Sequence, residues 1–214
     1  SAAAAPEEEE EPYESPVDFE ALWEINPDIY GWLEIGNTEI SYPIVQDPED
    51  DEYYLDHNSD REYSANGAIF SEATYNSGDL TDPVTLLYGH HMKSGAMFGD
   101  LQKTYSDDEF FEEDNVITIY TPEEALEYHV FAAVPFTSEH LLYEHDFTDE
   151  KEFEDFFDSI HNIRDLSSHL NEEYFPEAGD RVIILSTCLA GNNTRRFLVM
   201  ASLPADQVEM SEIF

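Results

Sequence analysis

The chain has 214 residues, of which 41% are apolar and 14% aromatic, enough to bury a sizeable core within a single large domain. Fifty Asp and Glu stand against eight Lys and Arg, a net charge of −42, whereas phosphate backbones and anionic headgroups demand clustered Lys and Arg; this balance argues against nucleic-acid binding. Six of the acids lie in residues 1–16, and subtracting them leaves −36 on the remainder, so the acidity belongs to the folded surface, where it favours solubility in salt or a cationic partner.

The chain opens with SAAAAPEEEEEPYESP, small residues, a Glu run and three prolines, which reads as a flexible acidic linker or stalk over residues 1–16. A single domain is then expected over residues 17–214. VDFEALWEI places Phe19, Leu22, Trp23 and Ile25 near helical spacing before Asn26-Pro27 interrupts, predicting a short packing helix.

From there the pattern changes to short runs rich in β-branched and aromatic residues, punctuated by Gly, Pro, Asn and Asp: GWLEIG, EISYPIV, GAIF, VTLLYGH, VITIYT, LEYHVFAAVPF, RVIILSTC and RRFLVMASL. About eight strands without regular intervening helices predict a mostly β fold, a closed and mostly antiparallel eight-stranded barrel, since closure removes exposed edges. The exception is TDEKEFEDFFDSIHNI, in which Phe153, Phe156, Phe157, Ile160 and Ile163 recur at helical intervals behind a capping-box-like Asp149-x-x-Glu152. It predicts a long helix between the FAAVPF strand and the RVIILSTC strand, with its apolar stripe toward the core.

Several chemistries find no motif here. There is no calcium-loop pattern, no H-E-x-x-H and no C-x-x-C, and GAMFGDL is neither a P-loop nor a dinucleotide fingerprint, so no metal and no cofactor is expected. A single cysteine forms no internal disulfide, and no run approaches the roughly 18 apolar residues of a membrane span. The chain starts at Ser, and a preceding export signal or membrane anchor is an expectation.

That cysteine, Cys188, ends the run RVIILSTC. As an unperturbed thiol, with a pKa of about 8.5, it would be only a few per cent thiolate at neutral pH, so a catalytic role requires a basic or cationic neighbour. His90 and His91 end the VTLLYGH strand, and Arg195 and Arg196 open the strand that follows the Cys segment, where a guanidinium is suited to hold an oxyanion. Taken singly, each residue has a plainer reading: a buried inert Cys, surface histidines, an Arg in a salt bridge. Chemistry alone leaves the thiol between filler and nucleophile.

ILSTC followed by RRFLVMA, with LLYGHHM upstream, resembles the sortases, the cysteine transpeptidases of Gram-positive cell surfaces. INPDIYGWLEIGNTEISYPIVQ, DDEYYLDHN, NGAIF and YGHHMKSGAMFGDL extend the resemblance, over about Val17 to Leu203, to the class B branch. The chain departs from some class B members in a short Cys-to-Arg loop, LAGNNTR, and in Leu189, which is acidic in some of them.

The resemblance implies that Cys188 is the nucleophile, His90 the acid/base with His91 a neighbour, and Arg196, before Phe197, the catalytic arginine in preference to Arg195. It implies a thioacyl intermediate formed at the Thr carbonyl of a sorting signal and resolved by an amine from a peptidoglycan precursor or a pilin lysine. Ser138, Leu142, Tyr143, Ser186 and Thr187 are its implied substrate-binding positions. The implied setting is a monomer at the outer face of the cytoplasmic membrane, held by an N-terminal anchor and acting on sorting-signal-bearing surface proteins. A surface cysteine hydrolase using water, and a non-catalytic peptide-binding module with a structural cysteine, are the alternatives.

Overall fold

A computed structural model describes residues 11–113 and 116–207. Residues 11–16 form neither helix nor strand, and the first ten residues of the expected stalk lie outside the described residues. In chain order the elements are α1 (Phe19–Ile25), β1 (Ile29–Ile35), β2 (Ser41–Val45), β3 (Ile69–Phe70), β4 (Val84–Tyr88), α2 (Leu101–Tyr105), α3 (Asp108–Glu113), β5 (Val116–Tyr120), β6 (Ala125–Phe136), α4 (Leu141–Glu144), α5 (Glu150–His161), β7 (His169–Leu170), β8 (Arg181–Leu189) and β9 (Asn192–Leu203).

The strands run in the order β5-β1-β2-β3-β4-β8-β9-β6, and pairing of β5 with β6 closes them into an eight-stranded barrel. Two of the pairings, β2–β3 and β4–β8, are parallel, so the antiparallel expectation is relieved at two seams. A ninth strand, β7, pairs with β6 through Ala132–Leu170 and Ala133–His169 and lies outside the closed ring. Its two residues show no alternation for a sequence pattern to reveal.

Alternation along β8 explains its unbroken apolar run. Ile183 and Leu185 join the barrel interior with Leu33, Ile44, Ile119 and Val199, whereas Val182 and Ile184 join a second cluster with Leu198, Met200 and the aromatic face of α5. A strand covered on both faces has no polar side to show. The covering helix is the one the periodicity predicts: Asp149 caps it, its side chain accepting from the Glu152 N–H at 2.9 Å, and Phe153, Phe156, Phe157 and Ile160 are all buried. Fully burying side chains of this size stabilises by about 1.5–3 kcal/mol each, which makes α5 the clamp on the outer face of β8 and β9.

The first helix packs less than its spacing suggests. Phe19 is buried in a small cluster with Ile29, Val45, Tyr54 and Phe70, but Ile25 is 57% exposed and Trp23 is 40% exposed, its indole N–H donating to the Ile29 carbonyl. Asp18 caps the helix through the Ala21 N–H, and Asn26 ends it, fully buried and hydrogen-bonded to the Tyr54 hydroxyl and the Ser59 carbonyl.

Candidate active site

The roof formed by α5 covers only part of the outer face of the β4-β8-β9-β6 sheet. Beyond it, β4 ends at Tyr88, β8 continues through Ser186 to Cys188, and β9 begins, so that a cavity of about 430 Å³ opens over the strand ends. His90, Cys188 and Arg196 all line it.

Cys188 and Arg196 are brought together by strand register. They are directly paired residues of the β8–β9 hairpin, and the Arg196 Nη1 lies 3.8 Å from the Cys188 Sγ. The same nitrogen donates to the carbonyls of Asn193 at 3.0 Å and Arg195 at 3.2 Å, which tethers the guanidinium beside the sulfur. Arg195, one residue earlier, lines no part of the cavity. The segment LAGNNTR, a loop by sequence, is mostly strand: pairing continues to Leu189–Asn192, with an irregularity after Cys188, and only Ala190 and Gly191 make the turn.

His90 reaches the cavity from the end of β4. Gly89 carries the β4–β8 ladder one step further, its N–H donating to the Ser186 carbonyl at 3.1 Å. A Cβ at Gly89 would sit 2.4 Å from Phe98 and 2.7 Å from Ile69, so the Tyr-Gly-His turn requires glycine for close approach. The ring of His90 is fixed from the other side by main chain: its Nε2 lies 2.6 Å from the Leu55 carbonyl oxygen. A carbonyl only accepts, so Nε2 carries a proton, and in the neutral ring Nδ1 is the unprotonated nitrogen.

His91 is also engaged with the site, but through backbone. Its Nδ1 donates to the Cys188 carbonyl at 3.0 Å, and the Gln102 side chain accepts from the Ala190 N–H at 2.8 Å, so His91 and α2 are both tied to the tip of the Cys–Arg hairpin. Sequence reasoning passed over both Leu55 and Gln102; a main-chain acceptor has no residue signature, and Gln102 lies 88 positions from its partner.

Of the residues expected to bind substrate, Ser138, Ser186 and Thr187 line the cavity, whereas Leu142 and Tyr143 do not. Leu142 packs against the α5 cluster and Tyr143 is 71% exposed, because α4 turns the chain away from the groove after Leu141. Thr187 shares the barrel-facing phase of β8 with Ile183 and Leu185, and its hydroxyl is buried without a hydrogen-bond partner, so it meets the groove by main chain rather than by side chain. One side of the groove is instead built by Glu72, by Tyr88 at the end of β4 and by His140. The His140 Nδ1 accepts from the Tyr143 N–H, so its Nε2–H donates to the Glu72 carboxylate at 3.0 Å. Burial, and after it the Glu72 carboxylate, holds the Tyr88 phenol well above its ordinary range, so Tyr88 is a neutral hydrogen-bonding wall.

Electrostatically the cavity is lopsided. Asp51, Glu52, Glu72 and Glu139 line it, against Arg196 as the sole Lys or Arg. Among the described lining residues that guanidinium is the fixed positive charge, and it lies where a thiolate or an oxyanion at Cys188 would be stabilised.

The comparisons agree with this architecture. A family model described as the sortase domain matches residues 33–204. Sortase B of Listeria monocytogenes is 35% identical over 167 residues, covering 78% of this chain, and the chain spans 65% of that relative's length. Among solved structures, sortase B from Bacillus anthracis superposes with a TM-score of 0.74 at 34% identity, covering 87% of this chain and 83% of the other. A Staphylococcus aureus sortase B–substrate complex gives a TM-score of 0.72 at 29% identity, with 86% and 83% covered. A barrel of this topology, carrying Cys and Arg on one hairpin and His on the neighbouring strand end, thus has class B sortases as its relatives in both sequence and fold, and the chain belongs to the sortase family.

Proposed function

We propose that the chain is a cell-surface cysteine transpeptidase in which Cys188, His90 and Arg196 carry the reaction. The observation that supports this most is the pairing of Cys188 with Arg196 across β8 and β9, with His90 on the wall of the same cavity. The Cys188 sulfur attacks the carbonyl carbon of Thr in a sorting signal, forming a C–S bond as the Thr–Xaa amide breaks. The proton lost by the thiol passes to Nδ1 of His90 and from there to the departing amine. Negative charge that builds on the Thr oxygen meets the Arg196 guanidinium and a backbone N–H near Leu189.

An incoming amine then attacks the thioester, restoring the thiol and forming a new amide bond. Its source is a peptidoglycan precursor or a pilin lysine, and water in its place gives hydrolysis. The clients are sorting-signal-bearing surface proteins, contacted by Ser138 and Ser186 and by the Tyr88–Glu72–His140 wall. Among the described residues no helix is long and apolar enough to cross a membrane. In this reading the enzyme is a monomer that works at the outer face of the cytoplasmic membrane.

The test is a panel of Asn-Pro-x-Thr and Leu-Pro-x-Thr peptides incubated with the protein, with and without a nucleophilic amine, and analysed by mass spectrometry. Transpeptidation predicts an amine-capped product ending at Thr that dominates when amine is present. Only a free Thr carboxylate, whatever the amine concentration, would favour a hydrolase, and uncleaved peptides throughout would leave a binding module.

A further inference from the structure

Between β2 and β3 lies a strongly acidic stretch: residues 47–62 contain eight Asp and Glu and a single Lys or Arg, Arg61. This stretch also supplies the main-chain carbonyl, at Leu55, on which the His90 ring rests. Self-repulsion would push such a segment off the barrel unless something held it there.

Arg61 is built into the position that opposes it. Its guanidinium pairs with Asp28, between α1 and β1, and with Asp47 at 3.3 Å, just after β2, and donates to the Tyr54 hydroxyl at 3.2 Å. Its planar face lies 4.3 Å from the centre of the Tyr53 ring, which stacks on its other neighbour, His57, at 4.0 Å. The backbone is committed as well: Arg61 sits at φ 63°, in the left-handed region, held in a tight turn by its own N–H to the Asn58 carbonyl and by the Asp60 and Glu62 N–H groups to the Asn58 side chain.

Tyr53, Tyr54 and Leu55 form one 3-10 turn, so the ring stacked on Arg61, the hydroxyl bonded to it and the carbonyl that accepts the hydrogen bond from the His90 ring belong to one unit. The far side of that unit is equally confined. Gly67 packs with no room for a Cβ, which would lie 2.8 Å from the Leu55 oxygen and 3.0 Å from the His90 Cδ2. The Leu55 carbonyl is therefore set by Arg61 from one side and by the Gly67 backbone from the other.

We propose that Arg61 is a positioning residue for His90: by clamping the Tyr53–Leu55 turn against Asp28 and Asp47, it places the Leu55 carbonyl that fixes the imidazole's tautomer and orientation toward Cys188. The inference rests on the catalytic role of His90 proposed above. Arg61 is absent from the cavity lining, so its loss removes no group that meets the peptide.

The test uses Arg61→Gln in the full chain, followed by imidazole ¹⁵N NMR and by peptide turnover. The expected result is a His90 ring that leaves the single Nε2–H form for a tautomer mixture, a kcat lower by about ten- to a hundredfold, and a KM changed less than about twofold. A second readout is the rate at which iodoacetamide alkylates Cys188, taken through a double-mutant cycle: Arg61→Gln should alter it in the parent and have no further effect in a His90→Ala background. Unchanged His90 resonances in a folded Arg61→Gln protein, or an equal effect with and without His90, would overturn the proposal. Should Arg61→Gln fail to fold, Tyr53→Leu removes the stacked ring while leaving both ion pairs; the same changes at smaller amplitude are expected, and an unaltered His90 signal overturns the idea. The NMR and alkylation readouts need no turnover, so a protein that cleaves no peptide would sink the transpeptidase reading while still deciding this one.

Discussion

The outer face of β8 and β9 is one surface with two fates. Under α5, Val182, Ile184, Leu198 and Met200 meet four buried side chains of the helix and are closed off from solvent. Two residues further along β8 the roof ends, and the same outward phase delivers Ser186 and then Cys188, opposite Arg196, into an open groove. The strands do not change; what covers them does. A doubly buried strand thus ends in a residue that opens on a groove, and the packing of the covered half holds the Cys188–Arg196 pair in register.

Substitutions on the two halves should separate stability from turnover. The largest effect is expected under the roof: Phe157→Ala leaves a cavity between α5 and β6, where Phe157 meets Phe131 edge-on at 5.7 Å, and should cost about 3–5 kcal/mol of unfolding free energy in denaturant titrations. Turnover per folded molecule should stay within about twofold, because no catalytic group touches it. In the open half the pattern reverses. Arg196→Ala should lower kcat by about 10²–10³-fold, with a midpoint of thermal unfolding close to that of the parent. A loss of stability without loss of rate there would assign Arg196 to the fold instead. The smallest effect is at the helix terminus, where Asp149→Ala removes the cap on α5 and should cost about 1 kcal/mol, measurable as a modest fall in melting temperature with kcat unaltered.

What could be read beforehand follows the same division. The roof was legible because a 3.6-residue stripe and an N-cap are local signals, and the strands of the ring were legible from β-branched runs between turn residues. The two-residue β7 was not, and neither were the parallel seams at β2–β3 and β4–β8, since register between distant strands leaves no local trace. In the open half, Cys188, His90 and Arg196 were each visible as residue types, but only the family resemblance joined them. Arg196 is separated from Arg195 by alternation, because on β9 only its phase points to the groove. Leu55 and the Arg61 clamp behind it escaped notice because their contribution is a main-chain oxygen and an ion-paired turn. Leu142 and Tyr143 lie outside the cavity lining, which on α4 stops at Leu141.

The proposed mechanism requires that Cys188 be the residue that becomes acylated. Intact-mass analysis of the parent, Arg196→Ala and Cys188→Ala proteins, quenched in acid during reaction with a cleavable sorting peptide, measures this directly. The expected result is an adduct equal in mass to the peptide's N-terminal fragment through Thr, mapped to Cys188 in the parent, slower to appear in Arg196→Ala and absent from Cys188→Ala. Cleavage at the Thr bond that persists in Cys188→Ala, or an adduct mapped to any other residue, would contradict it.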